Sequence, residues 1–478
     1  MDLKEWCEKA ESNRESLANE YFNMQVGLPY SKEKIGELEN FSSDLAKNFL
    51  KNFKEPKLLY YDSVASQVSH KLSKLTIQLH ETRKEKVSIS SMNFKNEKLN
   101  WTNWRQFASS SASKSRKKVF DEFVDKTKFI TPIIEETCNT YKDAYSDYNI
   151  DVLEPYFFQH KIGFEKLKDV VDALGSSLKT EFIKQFNYYS NEVDGRDSEY
   201  FDDFYYMRNA VFGNLKVSNK FDILKSVKNR MKILGFDVNR IKVDDQDRPG
   251  KYSSPFCYGI NIPGDVRVSF KAENFINDTN SVYHEFGHAV HFSHIKKELP
   301  FWTRYYMSEA LCETFSTFFE NLISDNNYLI KELRFSKDEA EEIVKRMEFL
   351  DLFAITFYCA NSMFKMDFWK KDMSMEQADN YYAKMIKKYM GVEVDGRYWQ
   401  LHHILPEAVL YVPSYLLAMI RASELRNNLF KQYGNEWYNN KEAGNYIKIL
   451  MESGTESKIA SFENANPNIL IYELLKND

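Results

Sequence analysis

Apolar residues return every three or four positions along most of this chain, as in residues 33–53, 65–79, 114–129 and 164–186. That spacing lays one apolar stripe along one face of an α-helix, so residues 1 to about 235 are predicted to form a succession of helices. Only 16 Gly and 11 Pro interrupt the pattern, while good helix formers are frequent. The rhythm changes once. The stretch RIKVDDQDRPGKYSSPFCYGINIPGDVRVSFK holds three prolines and three glycines, and its 266–270 segment, VRVSF, alternates apolar and polar residues. This predicts one small sheet, with a strand at 266–270 just before a helix beginning near Asp278. Helices resume after it, broken near Pro300, 325–327, 391–396 and 406–413.

A chain of 478 residues exceeds what one core usually serves. We therefore expect a helical N-terminal lobe over 1–235 and a second lobe over 236–478 that carries the chemistry. With 43% hydrophobic and 15% aromatic residues, there is ample bulk for large cores. The net charge of −5 gathers into no long block of either sign, which argues against nucleic acid as a partner. The densest basic run, 114–118 within SKSRKK, reads as a solvated helix start. Five widely spaced cysteines, odd in number and without a C-x-x-C pair, argue against a disulfide framework and for a reducing compartment. The charged N-terminal stretch and the lack of a long apolar window predict no membrane span and a cytoplasmic protein.

The helix after the strand carries His284-Glu285-Phe286-Gly287-His288, an H-E-x-x-H pattern. Histidines four residues apart share one helical face, so both imidazoles can reach one Zn²⁺ at about 2.0–2.1 Å. Glu285, on the adjacent side of the same turn, is placed to take a proton from the attacking water. A catalytic zinc needs a third protein ligand, and a carboxylate on a neighbouring helix is one source. The segment MSEALCETFSTFFENL offers Glu309, Glu313 and Glu320. Spacing alone does not choose between Glu309 and Glu313.

The sequence VYHEFGHAVH, followed by ETFSTFFE, resembles the thimet oligopeptidase and oligoendopeptidase F family, whose motifs read H-E-x-G-H-x-x-H and then E-x-x-S-T-x-x-E. The resemblance assigns the third ligand to Glu313 and makes Glu320 a partner of a ligating histidine. The third histidine of the family motif is not a ligand, so His291 is expected to be buried and hydrogen-bonded, and His294 exposed. Upstream, DRPGKYSSPFC is similar to the family's R-x-G-K-x-x-G-A-F-C, with Ser254 and Pro255 departing from it. Asp278 stands where the family has an aspartate, and would also serve as the helix N-cap.

A second histidine pair, His402 and His403, opens WQLHHILPEAVLYVPSYLLAMI. This is similar to the family's late segment, in which a histidine precedes tyrosines that donate to the oxyanion. By that likeness His403 takes the histidine role and Tyr415 the tyrosine role. LPEAV replaces the family's glycine-rich loop, and Ala408 stands where a further tyrosine is usual, which leaves Tyr411 as a substitute. A phenol suits the task because it is a neutral donor whose hydrogen bond strengthens as charge develops on the carbonyl oxygen.

The resemblance thus implies a two-lobed, mainly α metallopeptidase with a deep central channel, one zinc ion and short unfolded peptides as substrates. We further expect the open edge of strand 266–270 to pair with an extended peptide, bringing Val266, Val268 and Phe270 to the substrate beside Tyr411. Two other readings stay open: a zinc metallocarboxypeptidase of related helical fold, and a non-catalytic peptide-binding protein, which the intact Glu285 disfavours.

Overall fold

The computed structural model describes the chain apart from residues 95–96, 101–102, 109–110, 203–214, 219, 253, 272–274, 403–404 and 476–478. Helices dominate it, as the three- and four-residue spacing predicts. Among the described residues no helix is long and apolar enough to cross a membrane. Buried side chains from Trp6 to Ile471 join in one large core that runs through both halves of the chain.

The sheet predicted before the motif has three strands, β3 (Ile241–Asp244), β4 (Phe256–Asn261) and β5 (Asp265–Ser269). β5 lies in the middle, parallel to β3 and antiparallel to β4. The loop between β3 and β4 is tied down by Lys251, whose ammonium donates to Asp244 Oδ1 at 2.8 Å and to the Phe270 carbonyl at 3.0 Å. The N-terminal helix Leu3–Gln25 packs on β4, with Phe22 edge-on to Phe256 and Tyr258.

A second sheet departs from expectation. β1 (Ser88–Phe94) and β2 (Glu97–Asn100) form an antiparallel hairpin. Its residues are mostly Ser, Asn and Lys, and the opposed pair Ile89 and Leu99 supplies its buried side chains of apolar type, so the alternation that signals a strand is faint. The basic run also differs from expectation. Arg116 is buried and ion-paired with Asp194 and Asp202, while Lys114, Lys117 and Lys118 face solvent.

The motif helix, Phe275–His294, starts three residues earlier than Asp278, which therefore sits inside its first turn and is not the N-cap. Val282, Phe286, Ala289 and Val290 make its buried stripe. The helix Glu309–Glu320 is capped by Ser308, whose side chain accepts from the Leu311 N–H. It is packed between the motif helix and the helix Pro413–Tyr433. Beside them runs the long helix Lys337–Lys371, opened by a Ser336–Glu339 capping box.

Candidate metal centre

The close crossing of the two motif helices depends on Gly287. A Cβ built there would lie 2.6 Å from both the Phe315 carbonyl oxygen and the Ser316 Cα, closer than any side chain tolerates, so glycine lets the backbones touch. The contact brings Glu313 under the histidines. Its Oε2 lies 3.3 Å from His284 Nε2 and 3.6 Å from His288 Nε2. Ligand atoms held about 2.1 Å from a tetrahedral ion stand roughly 3.4 Å apart, so this spacing fits a shared metal. All three candidate donor atoms lie within 4.8 Å of one another, and two imidazoles with a carboxylate are a donor set that suits zinc.

Supporting contacts orient these groups. His284 Nδ1 lies 2.7 Å from Glu320 Oε2, while the other oxygen of Glu320 accepts from Asn280. Ser316 Oγ donates to Glu313 Oε2 at 3.1 Å. His288 stacks on Phe292, with ring centres 5.9 Å apart. Burial opposes charge on His284, yet the Glu320 and Glu313 carboxylates outweigh it and hold the imidazole well above its usual range. Burial likewise opposes ionisation of Glu313, and the imidazoles of His288 and His284 overcome it, leaving the carboxyl well below the usual range. The pocket therefore favours an anionic Glu313 against concentrated positive charge. Glu285 behaves differently. Burial, aided by Glu313 and Glu320 against the pull of the histidines, raises its pKa, in the direction a general base needs.

Glu309 is not part of this cluster; its carboxylate lies 3.5 Å from His160 Nε2. A cleft of about 520 Å³ opens beside the cluster, lined by His284, Glu285 and Glu320, and by Asp351, Tyr358 and Tyr415 from the facing helices. Tyr415 stacks on Tyr358 with ring centres 5.1 Å apart, and its hydroxyl lies 3.4 Å from that of Tyr411. Burial pushes the Tyr415 phenol far up, and the nearby Glu313 adds to the effect. It stays a proton donor at any working pH. His403 lies outside the described residues. His402 is buried against Phe357.

Three expectations are overturned. Strand 266–270 has no open edge, because β5 bonds to β3 on one side and β4 on the other. Val266, Val268 and Phe270 are buried at 0%, 0% and 6% exposure and cannot meet a peptide. The short segment at 241–244, too brief to show alternation, takes the edge left open by β4. His294 is not exposed, since its ring is partly buried against Phe236 and Nδ1 meets the Val290 carbonyl at 2.8 Å. His291 is fully buried as expected, but neither ring nitrogen has a hydrogen-bond partner among the described residues.

Sequence reading missed Asn280, Tyr358 and Asp351. Asn280 sits one turn before His284 on the same face, a signal available from spacing. Tyr358 and Asp351 lie on a helix that shares no motif with the site.

No family model matches the chain, and no curated protein matches it. Among solved structures it is similar to the Trypanosoma cruzi metallocarboxypeptidase 1, with a TM-score of 0.64 over 99% of each chain. The likeness is one of fold. At 15% sequence identity it carries over no residue's role.

Proposed function

We propose that this chain is a zinc-dependent peptidase acting on short peptides in the manner of an oligoendopeptidase. The observation that carries the reading is the convergence of His284, His288 and Glu313 beside Glu285, on the wall of a cleft that Tyr415 faces. His284, His288 and Glu313 would hold the ion, which when bound polarises the scissile carbonyl and acidifies a water molecule. Glu285 accepts the proton from that water as it attacks and returns it to the leaving amine, so no covalent enzyme intermediate is required. Tyr415 and His403 donate to the developing oxyanion. Glu320 holds the His284 ring in its orientation. The five cysteines are free thiols, which suits the cytoplasm.

A second reading is stepwise removal of C-terminal residues. The name of the structural neighbour favours it. So does Lys271, a cationic residue that lines the cleft and whose ammonium pairs with Asp247 at 3.1 Å, a charge that could meet a terminal carboxylate. Metal analysis of the purified protein, combined with mass spectrometry of a digested peptide mixture, decides between them. Internal cuts support the first reading, single-residue ladders from the C-terminus the second, and no cleavage by the zinc-loaded protein rejects both.

A further inference from the structure

The helix that carries Tyr415 begins without the usual stop at its amino end. Pro413 occupies its first turn, and Val412 at the cap position offers no side-chain hydrogen bond, so the turn is held locally only by the Ser414 and Tyr415 N–H groups donating to the Tyr411 and Val412 carbonyls at 3.0 and 3.2 Å and lacks a side-chain cap. Ser414 does not make up the deficit within its own helix. Its buried hydroxyl lies 3.0 Å from His160 Nε2 and 3.3 Å from the Tyr156 hydroxyl, both on the helix Glu154–His160.

The proton positions in this network follow from its partners. His160 Nδ1 faces the Tyr156 carbonyl oxygen at 2.8 Å, and a carbonyl only accepts, so Nδ1 carries the hydrogen. Nε2 is then an acceptor, and the single hydrogen of the Ser414 hydroxyl has two acceptors in reach, His160 Nε2 at 3.0 Å and the Tyr156 oxygen at 3.3 Å, of which the shorter contact is the one to His160. The imidazole is fixed from several directions. It stacks on the Tyr156 ring at 3.9 Å, approaches the Phe462 ring at 6.3 Å, and lies 3.5 Å from the Glu309 carboxylate. Its backbone carbonyl accepts from the Phe462 N–H at 3.2 Å. Burial lowers the His160 pKa to about 4, so this neutral arrangement persists across ordinary working pH. A Ser–His nucleophile is ruled out by the same geometry, because Ser414 is fully buried and the neighbouring carboxylate faces the nitrogen that already accepts from it.

We propose that Ser414 and His160 are positioning residues for Tyr415: their hydrogen bond anchors the uncapped first turn of the Tyr415 helix to the N-terminal half of the chain and so aims the phenol into the cleft. The inference rests on the peptidase reading and on the role given there to Tyr415. Glu309 and Glu313 lie one turn apart on one helix, so the His160 cluster touches both the helix that holds the oxyanion donor and the helix that holds the metal ligand.

Ser414→Ala removes the hydroxyl with little change of volume. In the zinc-loaded enzyme it is expected to lower kcat by about 10-fold to 10²-fold, the scale of a misplacement approaching ~1 Å, with KM and zinc content unchanged. Ser414→Thr, which keeps a hydroxyl, should restore most of the rate, and His160→Gln should follow Ser414→Ala. The decisive measurement is the double variant. If Ser414 acts through Tyr415, Ser414→Ala costs nothing further in a Tyr415→Phe background. An unreduced loss in that background, or no loss in either, overturns the proposal while Tyr415→Phe alone still reports on the oxyanion role. If Tyr415→Phe is itself fully active, that role is wrong and the positioning proposal falls with it, whereas a protein that cleaves no peptide at all overturns the peptidase reading first.

Discussion

His284 Nδ1 and Glu320 Oε2 stand 2.7 Å apart, and this contact leaves His284 Nε2 as the nitrogen that faces Glu313. Glu320 is itself held by Asn280, so the ring orientation is set by a relay of two contacts behind the candidate ligand nitrogen. Removing such a partner typically costs about 10–100-fold in metal affinity. Glu320→Ala should weaken zinc binding by that range in a chelator competition, with Asn280→Ala showing a smaller loss in the same direction. Unchanged affinity in Glu320→Ala would show that the crossing of the two helices alone orients His284.

Glu285 is the reverse case, a group beside the His284–His288–Glu313 cluster that supplies no ligand atom to it. Glu285→Ala should keep zinc in stoichiometric amount and lower kcat by at least about 10²–10⁴-fold, the usual contribution of a positioned base. Metal content and peptide turnover measured on the same preparation test this. Loss of zinc together with activity would mean that the carboxylate has a structural role.

Much of this centre was legible in the sequence because one-dimensional spacing maps directly onto a helix face. His284 and His288 are one turn apart whatever the rest of the fold does, and the downstream ETFSTFFE segment needs only one helix crossing to reach them. Choosing Glu313 over Glu309 needed the family resemblance, since both lie on the same helix one turn apart. What stayed hidden depends on contacts between distant segments. Whether 266–270 was an edge or a central strand turned on the pairing of 241–244, a segment of four residues. The closeness of Tyr358 to Tyr415, and of His160 to Ser414, comes from helix packing that no local pattern encodes.

Gly287 sets two effects against each other. Alanine in a helix is favoured over glycine by about 1 kcal/mol, but its Cβ would meet backbone atoms at 2.6 Å, and overpacking of this kind costs roughly 1–3 kcal/mol or more. Backbone on the far side cannot turn away as a side chain would, so the clash should win. Gly287→Ala is expected to lower Tm and to weaken zinc binding by pushing Glu313 from the histidines. A rise in Tm with intact zinc affinity would show that the helices separate without strain.

Asp351 offers a pH test away from the ligands. Burial, with Glu320 adding to it, raises its pKa to about 7 from an ordinary value near 3.8. Folded protein then holds a proton that the unfolded chain has released between these two values, so its contribution to stability falls as pH rises from about 4 to about 7 and is level on either side. Asp351→Asn cannot ionise and should escape the decline. Urea unfolding of both proteins between pH 4 and pH 8 should show the variant gaining on the parent across that window. Parallel curves would mean that Asp351 is not protonated in the fold.

Tyr415 and Tyr411 have hydroxyls 3.4 Å apart, and between them they divide the two alignments of this segment. Tyr415 lines the cleft with Glu285 and His284, which supports it as the donor to the oxyanion. A donor that strengthens its bond only as negative charge develops contributes to the transition state and not to substrate binding. Tyr415→Phe should therefore lower kcat by about 10²–10³-fold, the effect of losing one oxyanion donor, and leave KM nearly unchanged. Zinc content should also hold, because the phenol is not a ligand. Tyr411→Phe serves as the control, since it removes the neighbour of the Tyr415 hydroxyl while leaving the stacking on Tyr358 in place, and a modest effect is expected. A large kcat loss in Tyr411→Phe with full activity in Tyr415→Phe would shift the role by one helical turn. If both variants remain active, the oxyanion is held by another donor, and His403 is the next residue to replace.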